Sequence, residues 1–421
     1  MAEIKPFRAL RYNEELGTQM ANLVSPLFDV VSLEHRKKLY SHKFNSIHLS
    51  VPQEGYHSPE FIERSKDWQR GGILISDEVE SIYVYYQYYT SKESGKSRCR
   101  KGFIADSRIY DWSERVVFRH EGTIPKSVAG RKSVLEDTGL NVSPLHGLYT
   151  DQDHELEHLM DQAIENPIYD TEDYQGVRDV LGRITDTKII EKFVEVLKDK
   201  PIILADGHHR YEAALQHKLE QNGSDQDPYN FQMMYLTNTE SDDLEILPTH
   251  RLIQGLENFD EDAFLESLSK YFHVLELEDD SDVFQLMAGR RWAFGLYLGD
   301  KQFNIRLKQH NQFEMDWDLP ELVKNLDLTV LHYFLIEKIL KIPQMEQSKS
   351  ENLVYERNAQ VCLKRVLKEE AHCAILTQPL SVEKVKDVCY SGYTLPQKST
   401  FFYPKVICGY LFNSIKPEDH D

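Results

Sequence analysis

Leu204-Ala-Asp-Gly-His-His-Arg-Tyr-Glu-Ala-Ala-Leu215 decides how this chain reads. Before it, Pro201-Ile-Ile-Leu-Ala205 is a short continuous apolar run of the kind that forms a buried strand. After it, Arg210–Gln221 has helical spacing, with Ala213, Ala214 and Leu215 near its centre. A strand therefore turns through polar residues directly into a helix. Helix starts present N–H groups that lack intrahelical acceptors, and the dipole there favours negative charge. Gly207 permits a sharp turn or close approach of a ligand. His208, His209 and Arg210 add donors, and a guanidinium can grip a phosphate or carboxylate through two parallel hydrogen bonds. Glu212 follows His209 by three residues on the same helical face. Asp206 reads equally as a helix cap or as a catalytic carboxylate holding magnesium. With one glycine the loop is neither G-x-G-x-x-G nor a Walker loop, and no H-E-x-x-H or G-x-S-x-G motif is present.

Outward from the loop, the strand-like Ser46–Val51, the aromatic run Ser81–Tyr89 and its neighbour Arg100–Ala105 precede it. Helical spacing is expected over Asp151–Ile164 and Ile189–Lys198. Strands are expected at Phe231–Leu236 and Trp292–Tyr297, and helices at Glu261–Tyr271 and Leu328–Leu340. The tyrosines read as sheet packing. The tail Lys416–Asp421 reads as disordered. Three sections follow from this pass: 1–150, 151–255 carrying the loop, and 256–421. The fold class is α/β.

With 421 residues and 41% hydrophobic content the chain can bury a large core. Its net charge of −20 repels nucleic-acid phosphates, so nucleic acid is not an expected partner. No apolar run approaches the ~20 residues that span a bilayer, and no secretory pattern opens the sequence. A cytoplasmic protein is expected, with no membrane partner. Five cysteines without a C-x-x-C pair suit reducing conditions.

Further candidates carry the same chemistry. His120 and Glu121 follow the strand-like Val116-Val-Phe118, and a carboxylate there could take a proton from a substrate hydroxyl. Asp29, after Pro26, has the same reading. His250 and Arg251 follow Pro248, and Arg251 could neutralise a second phosphate. Lys398, Ser399 and Thr400 could offer a point charge and hydroxyl donors. His332 reads as a core histidine.

Ala205–Leu215 resembles the signature of the bacterial and archaeal family called domain of unknown function 1015. So do Phe7–Tyr12, Ser25–Val31, His120–Thr123, Asn141–Pro144, Ile246–Arg251, Leu326–His332 and Leu395–Lys405, in the family's order across essentially the whole chain. The D-G-H-H-R loop is similar to the phosphate box of the ParB/sulfiredoxin fold, which includes free serine kinases. The resemblance implies a ParB/sulfiredoxin-like core with an additional α+β C-terminal section. It also implies a serine kinase-like phosphotransferase linked to phosphoserine, using ATP or ADP and Mg2+, with a small phosphate or amino acid as substrate. In that reading Arg210 and the Gly207–His209 backbone hold phosphate oxygens, a histidine stabilises charge, Asp206 binds magnesium, and Glu121 or Asp29 is the base. Two rivals share the anion cradle: a phosphoserine phosphatase and a non-enzymatic nucleotide- or metabolite-sensing module. Where many relatives carry Pro-Pro-Tyr-Asp, this chain has Pro26-Leu27-Phe28-Asp29, losing one hydroxyl. Oligomeric state is not readable.

Overall fold

The computed structural model describes residues 2–28, 30–92, 94–278, 281–396 and 398–419. The chain forms two compact units. The first comprises Met1–Arg119, Thr123–Glu245 and Pro404–Asp421, and the second His120–Gly122 and Ile246–Tyr403.

The first unit is built on a nine-stranded mixed sheet. Its strands are β1 (Ile4–Lys5), β2 (Ile82–Thr90), β3 (Ser97–Arg108), β4 (Val117–Phe118), β5 (Leu145–Tyr149), β6 (Tyr169–Glu172), β7 (Arg178–Ile184), β8 (Ile202–Asp206) and β9 (Phe231–Asn238). They lie in the order β4-β8-β5-β9-β3-β2-β7-β6, with β1 on β3. β8 runs parallel to β4 and antiparallel to β5, and β5 runs parallel to β9. Both faces are covered. Ile82, Val84 and Tyr86 of β2 enter one apolar cluster, and the intervening Tyr83 and Tyr85 enter the other. That two-sided burial explains why the Tyr-rich strand tolerates so little polar sequence. The helices α1 (Pro125–Thr138), α2 (Thr187–Lys198) and α3 (His208–Glu220) pack around it. β2 and β3 share this sheet with β7, β8 and β9, so the expected boundary at residue 150 runs through one core.

The second unit holds an antiparallel six-stranded sheet. Its strands are β10 (His250–Ile253), β11 (Phe272–Leu277), β12 (Ala293–Leu298), β13 (Lys301–Leu307), β14 (Leu353–Glu356) and β15 (Cys373–Leu376), in the order β11-β13-β12-β15-β10-β14. The helix Glu261–Tyr271 matches its expected bounds.

Four expectations are corrected. Ser46–Val51 contains a helical turn, Ile47–Ser50, because Asn45 Oδ1 accepts from the Ile47 amide (2.9 Å) while its Nδ2 donates to Asn22 and Val24 carbonyls. The helix expected from Asp151 starts only at Glu157: Asp151 accepts from the Glu155 amide (2.9 Å) and His154 sits at φ +51°, which together make a turn. Leu328–Leu340 is helical, but Leu331–Ile339 is π-helical. Residues Pro417–Asp419 of the tail form a short 3₁₀ turn. Among the described residues, no helix is long and apolar enough to cross a membrane.

Candidate functional site

β8 delivers the buried run Ile202–Ala205 to Gly207, which stands at φ +96°. A Cβ there would meet Leu145 Cδ2 at 2.6 Å and Arg210 Nη2 at 3.0 Å, so only glycine fits. α3 begins at His208, and the Tyr211 amide closes the first turn on the Gly207 carbonyl (2.9 Å). The helix is pinned by Tyr211, whose hydroxyl donates to the Tyr110 carbonyl (2.9 Å) and accepts from the Tyr110 amide (2.8 Å). The helix start is thus fixed by packing rather than by a side-chain cap.

Asp206 is held from both sides. Lys405 Nζ pairs with its Oδ1, and Arg210 Nη2 donates to its Oδ2 at 2.8 Å. Burial alone would raise this carboxyl's pKa, but Lys405 and Arg210 override that cost and hold it well below the usual carboxylate range. The same arrangement does not fit the magnesium role expected for Asp206. A divalent ion would have to displace one of two cations and sit against the other. Among the described residues one group of three acids could hold a metal by spacing, Asp151, Asp153 and Glu155; Lys200 pairs with Asp151 and Lys192 with Glu155.

Arg210 also departs from expectation. Its Nη1 donates to Ser143 Oγ (2.8 Å) and the Pro144 carbonyl (2.7 Å), so the guanidinium braces the loop against the Ser143–Pro144 turn. His146 lies opposite Asp206 in the β5–β8 register, bonds Thr237 Oγ1 (2.9 Å) and stacks on Tyr235. Burial, with Arg100, Lys405 and Arg210 nearby, keeps it neutral. His208 is buried and His209 partly exposed at the first turn. Glu212 faces elsewhere: it accepts from Trp112 Nε1 (2.8 Å) and lies 3.8 Å from Arg119, a surface cluster that holds the helix flank.

The other expected residues belong to the second unit. His120 Nε2 and Thr400 Oγ1 lie 2.7 Å apart, and Glu121 Oε1 accepts from the Ser399 amide at 3.1 Å. Two pairs separated by 280 and 278 residues are thereby brought together. Lys398 is exposed, at φ +58°. His250 and Arg251 do not reach solvent. His250 accepts from the Thr377 amide, and burial first, then Arg251, lowers its pKa to about 4. Arg251 is fully buried, donates to the Thr249 carbonyl and to His332 Nε2 (3.3 Å), and faces the Tyr355 ring. Both are core residues, which corrects their reading as phosphate ligands. His332 is a core histidine, as expected, and also bonds Gln347. Asp29 lies outside the described residues. Lys405 and His146 were not singled out from sequence; Lys405 stood in a quoted landmark, but nothing local marks it as the partner of Asp206.

Residues 4–329 match the family model described as "Protein of unknown function (DUF1015)". The chain belongs to the DUF1015 family. No curated protein matches it. Among solved structures, this DUF1015 chain is similar to a free serine kinase in complex with AMP (16% identity, TM-score 0.39, covering 73% of this chain and 90% of that one). It is also similar to a conserved hypothetical protein from Pyrococcus furiosus (16%, 0.36, 73% and 94%). A third is SbnI with C-terminal truncation from Staphylococcus aureus (15%, 0.36, 73% and 85%).

Proposed function

We propose that this DUF1015 protein is a small-molecule phosphotransferase of the free-serine-kinase type, with a ParB/sulfiredoxin-like core and the Asp206–Arg210 loop as its phosphate cradle. The supporting observation is the strand-to-helix turn itself. Gly207 has no room for a side chain, and Asp206 is immobilised by Lys405 and Arg210. The first turn of α3 is therefore presented in fixed geometry, as electrostatic catalysis requires. Phosphate oxygens would lie on the amides of the first turn, where the helix dipole favours them, with His208 or His209 as the side-chain donor.

The donor is a nucleoside di- or triphosphate and the acceptor the hydroxyl of serine. The hydroxyl oxygen forms a bond to the terminal phosphorus, the bond from that phosphorus to the bridging oxygen breaks, the shortened nucleotide leaves with that oxygen, and the hydroxyl proton passes to solvent water. Arg210 and Lys405 take no part in bond changes; they hold Asp206 and so the loop. Catalysis is mostly positioning and charge neutralisation.

Incubation of the purified protein with serine, Mg2+ and either ATP or ADP tests this, with phosphoserine read by mass spectrometry. Nucleotide-dependent phosphoserine is the expected result. Phosphate release from phosphoserine without nucleotide would instead make it a phosphatase. Nucleotide binding without product would make it a sensor.

A further inference from the structure

Beside Arg210 the first unit contains a cavity of about 30 Å3, with Arg131, Asn141, Ser143, Arg210 and Gln232 as its polar lining and aliphatic side chains closing it. Asn141 is 2% exposed, and among the described residues neither its Nδ2 nor its Oδ1 has a hydrogen-bond partner. A buried amide is normally satisfied by protein, water or ligand. Its backbone is fixed by the ladder to Asn413, so the side chain cannot swing out to solvent without breaking that pairing.

Arg131 is buried in the same wall. Its guanidinium donates to the Ser50 carbonyl (3.0 Å) and to Tyr56 Oη, and stacks over Phe28 at 4.1 Å. Among the described residues these contacts are all neutral; burial first, and then repulsion from Arg210, lowers its pKa. Arg210 has given its carboxylate contact, among the described residues, to Asp206. Two guanidinium groups thus border one small space in a chain of net charge −20. A buried cation in such a place favours an anion with fixed acceptor geometry.

Size selects which anion. A space of about 30 Å3 suits a small planar anion, and the two oxygens of a carboxylate match one guanidinium and one amide donor. We infer that this cavity is the subsite for the carboxylate of the amino-acid acceptor, with Asn141 Nδ2 and the guanidinium of Arg131 as its donors. The inference rests on the phosphotransferase reading and deepens it. The carboxylate enters the cavity while the rest of the amino acid stays outside.

Calorimetric titration of the full chain with L-serine and with serinamide, which lacks the carboxylate, tests this without any variant. Serine is expected to bind at least ten-fold more tightly, with acetate competing for the site. Asn141→Leu is expected to abolish that ratio, and Asn141→Asp to reverse it by repulsion. Equal binding of serine and serinamide by the unmodified protein would overturn the inference and leave a cavity that holds ordered water only. Phosphoserine production with equal binding would sink the subsite and keep the kinase reading. A ten-fold ratio without phosphoryl transfer would sink the kinase reading and keep the subsite. No binding of either compound would sink both.

Discussion

Lys405 and Asp206 form an ion pair across 199 residues of sequence, in a position where each is largely shielded from water. With Arg210 on the other carboxylate oxygen, the pair turns a local loop into a rigid one. Removing one member leaves buried charge uncompensated. Asp206→Asn is expected to cost about 3 kcal/mol in urea-induced unfolding. A cost under about 0.5 kcal/mol, the range of ordinary surface changes, would show that the pair does not brace the loop.

Arg210→Ala removes the contacts to Asp206, Ser143 and Pro144 together. Loss of about 1.5–3 kcal/mol of stability is expected, the scale of hydrogen bonds to charged groups. Phosphate-ligand affinity should fall with it because the loop loses its brace. Unchanged unfolding with reduced affinity would mean that Arg210 touches ligand directly.

Gly207→Ala is strained at φ +96° and meets Leu145. A cost of about 1–3 kcal/mol is expected from the backbone conformation alone. A melting temperature equal to that of the parent would refute the close packing of the turn.

Two buried carboxyl groups set an unusual pH dependence. Burial first raises Asp106 and Asp179 to about 7; Asp179 keeps hydrogen bonds from Tyr85 (2.5 Å) and Gln87 (3.0 Å). Since the folded pKa exceeds the unfolded value of ~3.9, the folded state binds more protons between these values. Their contribution is fully present below pH ~4 and is lost as pH rises through about 7. Asp206 has the opposite sign: its contribution is present above pH ~4 and is lost only in strong acid. Urea midpoints measured from pH 4 to 8 should therefore decline less steeply in Asp179→Asn than in the parent. Parallel profiles would contradict the burial of a neutral Asp179.

The central strand–turn–helix was legible because its signals are local: an apolar run, one glycine and the helical spacing of Ala213–Leu215. The buried tyrosine strand was legible for the same reason, through its density of β-forming residues. The three-section division failed where the sheet joins strands distant in sequence, since β-pairing partners leave no local trace. Asn45 shows how one side chain can bend a strand-like alternation into a helical turn. At the loop, residue types were legible in the sequence, but their burial and partners were not. Arg251 and Arg210 are both arginines beside strand ends, yet one lies wholly in a core and the other braces a turn. Lys405 became visible only through its partner.

The cradle at the start of α3 is tested most directly by a crystal structure of the protein grown with ADP or inorganic phosphate. Phosphate oxygens within hydrogen-bond distance of the amides of His208–Arg210, with Asp206 still paired to Lys405, are the expected result. Well-ordered ligand bound elsewhere, with the turn after Ala205 empty and packed against its own neighbours, would contradict it.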